Sequence, residues 1–183
     1  CLVVGGGAVA ARKTRQLVKA GARVSVVDPA PGADVRRMAE EEIIQHIAAE
    51  FSPALLDDRV LVIAATDDDK VNREVSELAR ARNIPVNVVD NPGLCTFIMP
   101  SVIDRDPVQI AISTGGASPI LARLLRSRLE TMIPASFGRL AKLMRKSRES
   151  VRKRFPDMRL RRRFWENILQ GPVAEMLYAG QRS

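Results

Sequence analysis

The stretch CLVVGGGAVAARK, Cys1–Lys13, decides the fold. Its apolar opening, Cys1 to Val4, reads as a buried parallel strand that runs straight into Gly5-Gly6-Gly7. Ala8–Ala20 then has the composition of a helix. Gly5, Gly7 and Ala10 occupy the three small-residue positions of a G-x-G-x-x-A fingerprint. The first permits a tight turn, the second lets backbone approach a pyrophosphate, and the third lets helix and strand pack closely. Phosphates would then rest on the exposed N–H groups at the helix N-terminus. Asp28 closes the next strand, Arg23–Val27, about twenty residues on, where a carboxylate can accept hydrogen bonds from a ribose. The alternative is a glycine turn that only packs. If a dinucleotide binds, Asp28 favours NAD over NADP, because a carboxylate repels a 2′-phosphate.

Working outward, PAPGAD after Asp28 reads as a loop, and Val35–Glu40 as a short helix. Glu42–Ala48 is expected to be a third strand, Leu55–Asp58 a helical turn, and Val60–Ala65 a strand buried on both faces. Thr66–Asp69 opens a helix to about Arg82, capped by Thr66 or Asp67, and Ile84–Val89 is the next strand. Strands alternating with helices give an α/β fold, a Rossmann-like doubly wound parallel sheet. Ligands bind such sheets at the carboxyl ends of the strands. Gly5–Gly7, Asp28, Thr66–Asp67 and Asp90 all fall at those ends and are expected around one crevice.

The pattern changes after Asp90. Thr96–Ile103 and Val108–Ser113 read as two strands of a hairpin turning at Arg105-Asp106-Pro107. Ser118 is a candidate N-cap, with Pro119 at the first position of a helix Ile120–Met132. That helix gathers Leu121, Leu124, Leu125 and Leu129 on one side and is ended by Pro134. Two or three further helices fill Phe137–Ala179, broken near Pro156 and at Gly171-Pro172. The expected organisation is a nucleotide-binding domain over residues 1–99, a small α+β segment over 100–135 and a basic helical region over 136–183.

Charge divides the chain in the same place. Residues 1–99 hold 12 Lys/Arg against 14 Asp/Glu, a net −2, and residues 100–183 hold 17 against 7, a net +10. Such asymmetry reads either as a surface for an anionic partner or as solvated helix faces. No run is apolar enough to cross a bilayer, so no membrane is expected. Cys1 and Cys95 have no metal or redox spacing, which suits reduced, structural thiols in the cytosol. The chain opens inside a strand and without a methionine, which implies residues ahead of it.

Asp90 ends a buried strand at the crevice mouth and reads either as a general base or as the Asx cap of Asn91-Pro92-Gly93. Asp67–Asp69 reads either as a metal cluster or as helix capping. His46, the single histidine, is expected to be structural or on the surface, so a histidine-based metal cage has no raw material.

Together CLVVGGGAVAARK, IAATDDDKVN, NVVDNPGLCTFIMPSVIDRDPVQIAISTGGASPILARLLRSRLE and RRRFWE resemble the precorrin-2 dehydrogenase/sirohydrochlorin ferrochelatase module of sirohaem synthase. The likeness runs over nearly all of the chain. It implies NAD-dependent oxidation of precorrin-2 to sirohydrochlorin, then insertion of ferrous iron, a substrate, to give sirohaem. It also implies an interlocked homodimer whose dimerisation segment follows the nucleotide domain. The acid of the NVVD motif, here Asp90, is implied in both activities. Nucleotide contacts are implied at Ala8-Val9 and at Pro29-Ala30 beside Asp28. Ser113, Gly115, Gly116, Ser118 and Pro119 are implied on the tetrapyrrole side, with Thr114 standing where relatives often carry serine. Eight substrate carboxylates would meet Arg123, Arg126 and Arg128. Two other readings stay open: a dehydrogenase without chelation, and a nucleotide-sensing regulator that binds nucleic acid. The second is disfavoured because the arginines are spread over several helices and aromatics are 4%.

Overall fold

The computed structural model describes residues 1–172 and Met176. It divides into two compact units, one of Cys1–Met99 and one beginning at Pro100. In the first, five short parallel strands form one sheet: β1 (Leu2–Val4), β2 (Ser25–Val27), β3 (Gln45–Ile47), β4 (Val62–Ala64) and β5 (Val86–Val88). Their order is β3-β2-β1-β4-β5, so the chain reverses direction across the sheet between β1 and β4. That switch point is where doubly wound sheets open a crevice.

The strands alternate their side chains between two apolar layers, as a sheet covered on both faces must. Val3, Val26 and Ile63 pack with Ala10 and Leu17 of α1 (Ala8–Lys19) and with Val35 and Met38 of α2 (Ala33–Glu40). Leu2, Val4, Val62 and Ala64 pack on the opposite face with Val75 and Ala79 of α3 (Asp69–Ala81). Leu56, from a short 3-10 turn at Pro53–Leu56, fills the same layer.

Several expectations are corrected. The third strand is Gln45–Ile47 rather than Glu42–Ala48, because Glu42 takes φ +56 in the turn after α2. The helical turn lies at Pro53–Leu56 rather than Leu55–Asp58. The fourth strand is Val62–Ala64, since Val60 is 74% exposed and lies outside the core. The cap of α3 is neither Thr66 nor Asp67 but Asp68, whose carboxylate accepts from the amides of Lys70 at 2.7 Å and Val71 at 3.4 Å.

Thr96 belongs to no strand. Its amide and hydroxyl instead close the edge of β5: Thr96 N donates to Val86 O at 2.8 Å, and Val86 N donates to Thr96 Oγ1 at 2.8 Å. The free edge is thus satisfied locally rather than by a ladder.

In the second unit, β6 (Ser101–Arg105) and β7 (Val108–Ile112) form an antiparallel hairpin. Helices α4 (Pro119–Met132), α5 (Ser136–Arg154) and α6 (Met158–Gln170) follow. Ser118 caps α4 as expected, accepting from the Leu121 amide at 3.1 Å. The main core cluster is small, Ile103, Ile112 and Ala122 with Ile110 and Leu129 against them, and Leu140 and Val151 of α5 are also buried. Arg105 ties the hairpin to the end of α4, donating to Ile133 O at 2.8 Å and pairing with Glu130 at 3.3 Å. Leu121, Leu124 and Leu125, expected on one side of the helix with Leu129, are 46%, 48% and 38% exposed. The helices expected over Phe137–Ala179 are α5 and α6 up to Gln170, with residues 173–175 and 177–179 outside the described residues. No helix among the described residues is long and apolar enough to cross a membrane.

Candidate dinucleotide site

The three glycines after β1 do different work. Gly5 has φ +108, and a Cβ there would lie 2.7 Å from the carbonyl carbon of Ala65 and 3.1 Å from the amide of Thr66. Only glycine lets the end of β1 pass so close to the end of β4. Gly6 lies against the loop after β2, where a Cβ would meet Pro31 Cα at 2.8 Å and Asp28 Cβ at 2.9 Å. Its carbonyl accepts from Gly32 N at 2.9 Å. Gly7, the N-cap of α1 at φ −74, has open space where a Cβ would stand. Ala10 is fully buried between helix and sheet.

Helix α1 has no side-chain cap and no acid in its first turn. Its first amides, including those of Ala8 and Val9, therefore have no partner within the helix and carry the positive end of the dipole. This is the donor set that a pyrophosphate needs, and the open approach over Gly7 fits it.

Asp28 is placed by two local bonds. Its Oδ1 accepts from the Ala30 amide at 2.8 Å, and its carbonyl accepts from His46 Nε2 at 2.9 Å. His46 is thus structural, holding the Asp28-Pro29-Ala30 loop from the neighbouring strand. The second carboxylate oxygen makes no hydrogen bond among the described residues, which leaves it for a ribose.

Thr66 is clamped by Asn72, a buried polar residue on α3 that the sequence reading passed over. Thr66 Oγ1 donates to Asn72 Oδ1 at 2.9 Å, and Asn72 Nδ2 donates to Thr66 O at 2.9 Å. Asp67 stays exposed at the rim. No group of three or more possible metal ligands exists among the described residues, and Asp68 is a cap.

Asp90 follows β5 on the same edge of the sheet, exposed, at φ +58. Glu42, Asp58 and Asn83 also have positive φ, but each lies in a turn leading into a strand. Asp90 alone among them follows one. It does not cap the next turn: the Asn91 amide donates to Val88 O at 3.3 Å, and the Leu94 amide to Asn91 O at 3.2 Å. The segment behind Asp90 is fixed instead by Ser76 Oγ donating to Leu94 O at 2.6 Å and by Arg80 donating to Gly93 O at 3.0 Å. Cys95 packs there as a structural thiol, donating to Val88 O at 3.2 Å.

Lys13 of α1 is a further group that the fingerprint did not single out. It is half-buried, and its Nζ donates to the Met99 sulfur at 3.4 Å. Desolvation lowers its pKa below the usual lysine value, with Arg12 adding to the fall and the charge of Asp90 opposing it. An ammonium thus lies within electrostatic reach of the candidate base.

In the second unit, the loop before α4 is internally bonded. Thr114 Oγ1 donates to Ser118 O at 3.1 Å and accepts from the Ser118 amide at 3.0 Å, while Ser113 Oγ accepts from Gly115 N at 3.2 Å. The Thr114 hydroxyl therefore shapes the turn. Gly115 and Gly116 take φ +62 and +87. Arg123 is exposed without an ion pair among the described residues, while Arg126 pairs with Glu130 at 3.4 Å.

The sheet order, the glycine turn at the switch point and the acid at the end of β2 define a dinucleotide-binding α/β protein. Residues 1–101 match a family described as putative NAD(P)-binding, 105–132 the central region of sirohaem biosynthesis proteins, and 136–183 the sirohaem synthase dimerisation region. The chain belongs to the sirohaem synthase family, as its NAD(P)-binding and dimerisation module. It is 58% identical over 181 residues to a sirohaem synthase of Thioalkalivibrio sulfidiphilus, covering 99% of this chain and 37% of that protein. It is 56% identical over 182 residues to that of Nitrosomonas europaea, covering 99% of this chain and 38% of the relative. The chain therefore spans under two-fifths of the length of these curated relatives. Among solved structures, SirC, a precorrin-2 dehydrogenase, superposes with a TM-score of 0.79 at 21% identity, covering 98% of this chain and 92% of that one. This last likeness carries the fold.

Proposed function

We propose that this chain is an NAD-dependent dehydrogenase that oxidises precorrin-2 to sirohydrochlorin, with ferrous iron insertion as a second reaction using the same acid. The observation that most supports it is Asp90: an exposed carboxylate after a buried strand, on the sheet edge that carries the glycine turn, with no capping role.

Bound NAD supplies a hydride acceptor. The amides of Ala8 and Val9 and the open face of Gly7 hold the pyrophosphate, and the free oxygen of Asp28 accepts from ribose hydroxyls and disfavours a 2′-phosphate. As the macrocycle gives up a hydride, the Asp90 carboxylate takes the accompanying proton, so two electrons and two hydrogens leave together. Iron insertion requires two pyrrole N–H groups to lose their protons, and the same carboxylate would receive them in turn and pass each to water. The four ring nitrogens then hold the metal, so the protein needs no Cys/His cage.

Ser113, Gly115, Gly116, Ser118, Pro119 and Arg123 serve the tetrapyrrole, with Arg123 free to meet a carboxylate. The exposed leucines of α4, the dimerisation-region match and the small core of the second unit support a homodimer that covers this face. The free thiols Cys1 and Cys95 suit a reducing, cytosolic compartment.

The test is an anaerobic mixture of the protein, precorrin-2 and NAD. NADH absorbance is expected to rise one for one with sirohydrochlorin, and more slowly with NADP. No reduced cofactor from either nucleotide would overturn the reading. Added ferrous iron should metallate sirohydrochlorin faster than in protein-free solution, and equal rates would remove the chelatase step alone.

A further inference from the structure

The second unit holds a cleft of about 630 Å³ in the fork between α5 and α6, made by one face of each helix. Five guanidiniums line it: Arg145, Arg148 and Arg152 from α5, Arg161 and Arg162 from α6. The i, i+3, i+7 spacing of the first three puts them on a single helical face. Between them lie apolar groups, Met144, Met158 and the half-buried Trp165.

The fork is built rather than loosely splayed. Asp157 caps α6, accepting from the amides of Arg159 at 2.7 Å and Leu160 at 3.1 Å. The Phe155 and Phe164 rings meet across the corner at 5.2 Å. Arg161 donates to Phe155 O at 3.1 Å.

The charge of the fork is not compensated within it. Helix α5 carries eight Lys/Arg against Glu149, and α6 four against Glu166. Glu149 pairs with Arg152 at 3.2 Å and Glu166 with Arg162 at 2.8 Å. Arg145 and Arg148 have no hydrogen bond or ion pair among the described residues. Two unneutralised guanidiniums beside apolar and aromatic groups make the cleft electropositive and suit it to an anion.

We propose that this cleft is a second anion site, which takes a flat apolar ring bearing several carboxylates. Guanidinium forks match carboxylates in bidentate fashion, while Trp165 and the methionines offer a surface for a ring face. Simple phosphate would leave that floor unused. The volume lies within the usual range for small-molecule pockets, roughly 300–1,000 Å³. Such a site would hold the substrate or product of the dehydrogenase. It rests on that reading only for which macrocycle is bound.

Trp165 is the single tryptophan of the chain, so its fluorescence reports on this cleft. Uroporphyrin, a porphyrin with eight carboxylates, is titrated into the full chain at physiological salt, with inorganic phosphate and a short DNA duplex as parallel arms. Saturable quenching by uroporphyrin is expected. It should weaken at least about tenfold in Arg145→Glu/Arg148→Glu, as charge-assisted contacts are lost. Arg145→Gln/Arg148→Gln, which removes charge without reversing it, should move in the same direction, and unchanged circular dichroism confirms that both variants fold. Equal affinity in parent and charge-reversed variant, or no quenching of the parent, overturns the proposal. Tighter binding of the duplex than of uroporphyrin overturns it in favour of nucleic acid. The readout needs no turnover, so failure of this site and failure of the dehydrogenase reading are separate results.

Discussion

Alanine substitution of Gly5 and of Gly7, one at a time, separates the glycine that builds the turn from the one that admits the ligand. At Gly5 an alanine must adopt φ +108 and place its Cβ against the backbone of Ala65, 2.7 Å from the carbonyl carbon. The backbone conformation alone costs about 1–3 kcal/mol. Overpacking that cannot be relieved by a side-chain movement adds about 1–3 kcal/mol more. A total near 3 kcal/mol corresponds to a fall in Tm of roughly 12–24 °C for a unit of this size.

At Gly7 the φ of −74 suits any residue, and nothing lies within 4 Å of the new Cβ. A poorer N-cap and a less flexible unfolded chain then nearly offset each other, each within about 1 kcal/mol. On the proposed dinucleotide reading the cost appears in binding instead, because the methyl group would stand where the pyrophosphate approaches. Loss of one charge-assisted hydrogen bond, about 1.5–3 kcal/mol, weakens NADH roughly 10–150-fold. Thermal melts by circular dichroism and NADH titration by fluorescence read the two effects separately. A Gly5→Ala protein that melts with the parent, or a Gly7→Ala protein that binds NADH as tightly as the parent, would refute the reasoning.

Other perturbations test the neighbouring groups. Asn72→Ala removes the three hydrogen bonds that clamp Thr66 and leaves its half-buried backbone amide and carbonyl unsatisfied. A loss of about 2 kcal/mol is expected from urea unfolding, and an unchanged midpoint would contradict it. Lys13 has a folded-state pKa below its unfolded value, so the unfolded chain binds more protons between the two and stability rises with pH there. Lys13→Met should therefore melt above the parent at neutral pH, with the gap closing as pH approaches 10.5, the ordinary lysine value. A constant gap would show that packing rather than charge sets it. Ser118→Ala frees the Leu121 amide at the start of α4, and melts should record a loss of about 1 kcal/mol.

The first unit was legible because its decisive signals are local. Apolar runs around Leu2–Val4, Val26-Val27 and Ile63-Ala64 and a glycine turn between strand and helix leave few other folds. The strands are shorter than their apolar runs because only three residues of each stay in register. Thr96 was misread as strand because a side chain that imitates a ladder bond is invisible to alternation. Asn72 and Lys13 escaped notice for a related reason. Polar residues on exposed-looking helical positions gain meaning only when the sheet brings Thr66 or Asp90 beside them. In α4 the leucine periodicity correctly gave an amphipathic helix. Periodicity does not say what covers the stripe, and among the described residues the core cluster takes only Ala122 and Leu129 from α4. The fork of α5 and α6 lay within a charge excess whose arrangement on two facing helices depends on the turn at Pro156.

Asp90→Asn is the most direct measurement of the account. It keeps the shape of the side chain and the turn after β5 but removes the proposed proton acceptor. NADH should bind as in the parent, while sirohydrochlorin formation from precorrin-2 falls by about 100-fold or more, the usual weight of a general base. Turnover within a few-fold of the parent would contradict the central claim and leave Asp90 a residue of the turn.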